Sequence, residues 1–132
     1  MRLALGVLAV LVLAGAARGG PSTISAMVED ARRLAMTSYM CEAVFGRVFV
    51  PSFSIVKSLI EAQMVSVGMM PDEATVAVAE MAEKLQRSAP KTMFEKTAAY
   101  RAACDVRLHE HFEKFRVSGA RARNELRNQN SK

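Results

Sequence analysis

Two stretches of this chain place side chains at alternating steps of three and four residues, and each stripe carries one of its two cysteines. In the first stretch the stripe is Ile24, Met27, Ala31, Leu34, Ser38, Cys41, Phe45 and Val48. In the second it is Met93, Thr97, Tyr100, Cys104, Leu108, His111 and Phe115. Such spacing follows the turn of an α-helix and gathers each set on one face. A bond between Cys41 and Cys104 needs α-carbons within about 7 Å, so the pairing requires the two stripes to face each other. Two cysteines allow a single intramolecular pairing, with two free thiols or an intermolecular bridge as the competing states.

Stop and start signals divide the rest. The first helix is expected over about 22–50 and ends at Pro51, and Ser52 or Ser54 can cap a second helix with the face Val56, Leu59, Ile60, Gln63, Met64 and Val67. Gly68 suits a left-handed terminator. Pro71, Asp72 and Glu73 open a third helix, with proline in the first turn and acids at the positive end of the dipole; it buries Ala74, Ala77, Val78, Met81 and Leu85 and stops before Pro90. A capping box, Thr92 with Glu95, then opens a fourth. Val44 to Phe53 is the one β-branched and aromatic run, read here as helical up to Pro51. The expected fold is all-α: a small antiparallel, up-and-down four-helix bundle over residues 20–118, closed by one disulfide between Cys41 and Cys104.

Residues 1–16 read as a secretory signal peptide, with Arg2, an apolar run from Leu3 to Ala14, and the small residues Gly15, Ala16 and Ala17. Cleavage is expected after Ala16 or, alternatively, after Gly19. The run has 12 residues. That is short of the roughly 20 a membrane-spanning helix needs, so no stable membrane insertion is expected after signal removal; an uncleaved anchor is the competing reading. Ala16 stands where a bacterial lipid-attachment box requires cysteine. A periplasmic or secreted location follows, and an oxidising compartment suits the disulfide. The Ala- and Arg-rich leader and the lack of an Asn-x-Ser/Thr sequon point towards a bacterial periplasm.

The whole chain carries a formal charge of +5, and the residues from Lys114 onward carry +5 by themselves. Residues 119–132 therefore read as a basic, flexible C-terminal tail that either only solubilises the chain or, through Arg121, Arg123 and Arg127, contacts an anionic surface or an acidic protein partner. Nucleic acid is not an expected partner, since the leader directs the chain away from it and no aromatic residues interleave the cations.

No catalytic grouping is legible. His109 and His111 point about 200° apart on a helix and cannot share one metal ion, and the motif His-Glu-x-x-His is absent from the sequence. Cys104 and His111 share a stripe, but they are about 10 Å apart along the axis and the disulfide consumes the thiol. Neither a cofactor nor a metal is expected. The nine methionines suit core filling or a pliable surface, and Met69 and Met70, in the turn before Pro71, are the expected contact site.

The early Cys41-Glu42 pair, the late Cys104 and the helical content between them faintly resemble the plan of small periplasmic acid-stress chaperones, on those three residues alone. The expected function is that of an exported, non-enzymatic binding or interaction protein acting on a protein partner as adaptor, inhibitor or stress chaperone. The alternative is a helical-bundle carrier of a small apolar ligand.

Overall fold

A computed structural model of the chain describes residues 20–89 and 95–131. The expected signal peptide with its expected cleavage site, and Thr92 of the expected capping box, lie outside the described residues. Four helices follow in order: α1 (Gly20–Phe45), α2 (Phe53–Ser66), α3 (Pro71–Ser88) and α4 (Ala98–Asn130). No strand occurs among the described residues. The all-α, antiparallel bundle and its Cys41–Cys104 bridge are as the sequence patterning indicates, with the cysteine α-carbons 6.0 Å apart.

Each connection is made by local chemistry. Gly46, at φ +83°, ends α1, and its N–H reaches the Glu42 carbonyl at 2.8 Å. The helix therefore stops at Phe45, six residues before Pro51, which itself follows a cis peptide bond. A glycine at the left-handed position outweighs continued stripe spacing here. As a result Val48, on the expected stripe, is exposed, while Phe49 turns into the core and packs edge-on against Phe45. Glu42 spans the connection by accepting the Phe53 N–H at 3.4 Å.

Ser52 caps α2, accepting the Ile55 N–H at 3.3 Å. Gly68, at φ +110°, closes it. The Gly68 N–H meets the Val65 carbonyl and the Met69 N–H meets the Met64 carbonyl, each at 3.0 Å, which is the double bond pattern of a glycine-terminated helix. Pro71 begins α3 with Asp72 and Glu73 in its first turn, and the helix ends at Ser88, just before Pro90.

The start of α4 differs from expectation. Glu95 and Lys96 are not helical, and the cap is Thr97, whose hydroxyl accepts the Tyr100 N–H at 3.2 Å. Thr97 is followed directly by Ala98 and Ala99, residues of the highest helix propensity, and so marks the boundary better than the box upstream. The C-terminal boundary also differs. The expected flexible tail from residue 119 is instead a continuation of α4 to Asn130, with Gly119 and Ala122 buried. Ser118, Gly119 and Ala122 prolong the Cys104–Leu108–Phe115 face with small residues, so the burial pattern persists where large apolar side chains run out.

The bundle is not a symmetric square. α1 touches each of the other three helices, its broadest interface is with α4, and α2 and α3 pair as a hairpin whose α2 also meets α4 at Gln63. Antiparallel stepping from the bridge sets Leu34 level with His111, Arg33 lies close enough to act electrostatically on His111, and both sets of contacts share one core. The core is built from Met27, Leu34, Cys41, Val56, Ile60, Val78 and Cys104, all fully buried.

Gly119 marks where α4 meets α2. A β-carbon added there would land on the Gln63 side chain, whose carbonyl oxygen accepts from Arg123 Nη1. Gly119→Leu is expected to cost about 1–3 kcal/mol by overpacking and to break the Gln63–Arg123 contact. Gly119→Ala is expected to cost less, because the gain of about 1 kcal/mol in helix propensity offsets the displacement of one flexible side chain. Urea unfolding of the two variants decides it: a leucine variant as stable as the parent would show that α2 does not seat against α4 at this point.

Candidate functional site

A half-open groove of about 580 Å³ lies between α1 and α3. Its floor is apolar. Met36 comes from α1, Met64 from α2 and Met81 from α3, with Val28, Ala31 and Leu85 between them. The helices bring these groups together for different reasons. Met64 lies on the buried face of α2, while Met36 and Met81 flank the buried stripes of α1 and α3 and are only partly covered. Long, unbranched thioether side chains at such half-covered positions present a surface that adapts to the shape of an occupant.

The rim is charged. Arg32 stands on the α1 wall, and Lys84, Arg87 and Glu80 on the α3 wall. Arg32 is paired with Glu29, which also bonds Arg33 at 3.1 Å; the Arg32 hydrogen bond first, and then both guanidinium charges, hold the Glu29 carboxyl below its ordinary range. Lys84 and Arg87 have no ion pair among the described residues. The groove edge is therefore cationic overall, with its uncommitted positive charge on α3.

Another concavity, of about 400 Å³, lies between the α1–α2 connection, Leu59 of α2 and α4. Val50, Leu59 and Phe112 supply its apolar surface and Asp105, His109 and Glu113 its polar edge. Its charge is opposite in sense to that of the α1–α3 groove. Glu113 is bonded to Arg116 at 2.8 Å.

The residues expected from sequence to make contacts are dispersed by the fold. Met69 is partly buried against the core, and Met70 precedes α3 at 64% exposure. Arg123 bonds Gln63, Arg127 bonds the Asn124 side chain at 3.1 Å, and Arg121 is exposed. On a continuous helix Arg121 and Arg123 point about 200° apart, so the three arginines do not form a single patch. Met69, Met70 and the arginine-bearing end of α4 do lie towards one end of the bundle, since Gln63 sits one turn before the α2–α3 connection. The groove methionines were legible only as separate stripe residues. Their convergence depends on the packing of three helices, which periodicity within one helix does not encode.

Cys41 and Cys104 are both buried and bonded. Among the described residues no group of three or more His, Cys, Asp or Glu side chains is placed to hold a metal ion, and no helix is long and apolar enough to cross a membrane.

His111 sits half-buried at the α1–α4 seam, and its pKa is lowered from 6.5, first by desolvation and then by Lys114, with Glu110 opposing and Arg33 and Arg107 adding to the effect. A group with a depressed folded pKa binds more protons when unfolded. Stability is therefore expected to fall as pH drops from about 6.5 to the lower folded value and to level off beneath it as far as this group is concerned. The slope cannot exceed about 1.4 kcal/mol per pH unit for one proton. Urea midpoints of the parent and His111→Gln across pH 5 to 8 check this: the variant should lose the slope, and an unchanged slope would assign it to other groups.

No protein-family model, curated protein or solved structure matches the chain.

Proposed function

We propose that this chain is an exported, non-enzymatic binding protein that engages a protein partner through the α1–α3 groove. The observation carrying this reading is the convergence of Met36, Met64 and Met81 beneath a partly cationic rim. A pliable apolar floor open to solvent accommodates projecting side chains of another protein, the work done by methionine-lined surfaces generally. The Cys41–Cys104 disulfide fits an oxidising, extracytoplasmic setting such as the periplasm. Adaptor, inhibitor and stress-chaperone roles all use such a surface. A basic contact through Arg121 or Arg127 on α4 is a secondary surface in this reading.

The volume of the groove, about 580 Å³, also lies within the range of small-molecule sites. Carriage of a small apolar ligand is therefore the second reading. Met81→Asp separates groove-dependent binding from surface adhesion, because it places a charge on the floor at a partly exposed position. Capture from an extract of exported proteins should recover one stoichiometric protein with the parent and at least about tenfold less with the variant, a change of roughly 1.4 kcal/mol. A groove-dependent small molecule in native mass spectra, with no protein retained, would overturn the protein-partner reading in favour of the carrier.

A further inference from the structure

The groove also constrains the conformation and charge of what it binds. This step rests on the groove being the binding surface. We infer that its occupant is a single amphipathic α-helix from the partner, about three turns long, with acidic residues beside its apolar stripe on the flank that faces α3.

Three features support that occupant. First, the walls are helices whose backbone hydrogen bonds are internal, and the floor is made of methionine, alanine, valine and leucine side chains. An extended peptide lying there would leave its own N–H and C=O groups over an apolar surface without partners, whereas a helix arrives with those groups already satisfied. Second, the groove runs along Val28 to Met36 on α1 and Ala77 to Ser88 on α3. At about 1.5 Å per residue these walls extend for roughly 12–16 Å, the length of two to three helical turns. α3 has no broad interface with α4, so a helix can lie along the exposed side of the α1–α3 pair as another member of the bundle.

Third, the free charge of the rim lies on one wall. Lys84 and Arg87 stand about one turn apart on α3 with Glu80 upstream, whereas Arg32 on the α1 wall is already paired with Glu29. The two free cations complement acidic residues along the flank of an inserted helix that faces α3, as in helix-in-groove recognition with anchors at i, i+4 and i+7. An amphiphile would leave much of its chain exposed in a half-open groove.

The test is a titration of the purified protein, carrying isotope-labelled methionine methyl groups, with synthetic probes of defined charge. The probes are an apolar-striped helix of about 12 residues with glutamate flanks, its lysine-flanked counterpart, the glutamate form broken by two central prolines, and dodecanoate. The glutamate helix should shift the Met36 and Met81 methyl signals saturably and bind at least about tenfold more tightly than the lysine or proline forms. The double variant Lys84→Glu/Arg87→Glu, altered only on the exposed rim, should reverse the preference between the two charged helices while retaining its circular dichroism spectrum. Equal binding of both charged helices, or of the proline-broken form, would overturn the inference. Saturable binding of dodecanoate without any peptide would overturn it too, yet leave the groove as a binding site. Silence of both methyl groups towards every probe would remove the groove-binding reading itself.

Discussion

Replacing both cysteines, as Cys41→Ala/Cys104→Ala, is expected to lower stability by about 4 kcal/mol at 25 °C. The bridge closes a loop with a sequence separation of 63, and the chain-entropy relation assigns a cost of that size to the freedom regained by the unfolded chain. Both cysteines are buried, beside Thr37, Met40, Tyr100, Ala103 and Arg107. The loss is large against a total of about 5–15 kcal/mol for a small domain. With a urea slope of about 1–3 kcal/mol/M, the midpoint should move down by roughly 1–4 M. A shift below about 0.5 M would mean that the α1–α4 interface restricts the unfolded chain without the bond. The bridge joins the last turn of α1 to the second turn of α4, so its loss should free the α4 N-terminus first. Hydrogen exchange at Arg101 to Cys104 is the corresponding local measurement.

The second large effect separates a stripe residue that the fold buries from one that it does not. Leu34 is fully buried at the middle of α1, the helix that contacts every other one. Leu34→Ala should cost about 3 kcal/mol, combining lost transfer energy with the cavity left between α1 and its neighbours. For a domain of this size that lowers Tm by about 12–24 °C. Val48 occupies an equivalent place in the helical spacing, but it is 47% exposed because Gly46 ends α1 before it. Val48→Ala should therefore change stability by less than about 0.5 kcal/mol. Thermal unfolding of the two variants side by side is decisive: similar losses would show that α1 continues through Val48 and that the Gly46 terminator is not the boundary.

Much of the architecture was present in the order of residues. The three-four spacing of Met27, Ala31, Leu34 and Cys41, and of Cys104, Leu108 and Phe115, identifies two buried helical faces, and all seven side chains are buried in the fold. Ser52, Gly68 and Pro71 act where their local chemistry indicates, since caps and turns depend on groups within four or five residues of one another. The boundaries that moved did so where two local signals competed. Gly46 prevailed over the stripe that continues to Val48, and Thr97 prevailed over the capping box upstream.

The end of α4 and the groove belong to a different level. Residues 119–130 are polar and basic, which on composition alone suggests a solvated tail, but Gly119 and Ala122 are small on the face that packs inward. Burial of a small residue depends on the neighbour that comes to meet it, here Gln63 of α2, and nothing within four residues announces that neighbour. The same holds for Met36, Met64 and Met81. By itself the sequence determined the helices, most of their ends and the pairing of the cysteines, because backbone hydrogen bonding and hydrophobic period act over short stretches of chain. The tertiary structure decided that three methionines from three helices share one groove and that the basic terminus continues a packed helix. Those outcomes depend on how helices pack across distances in sequence that no local pattern spans.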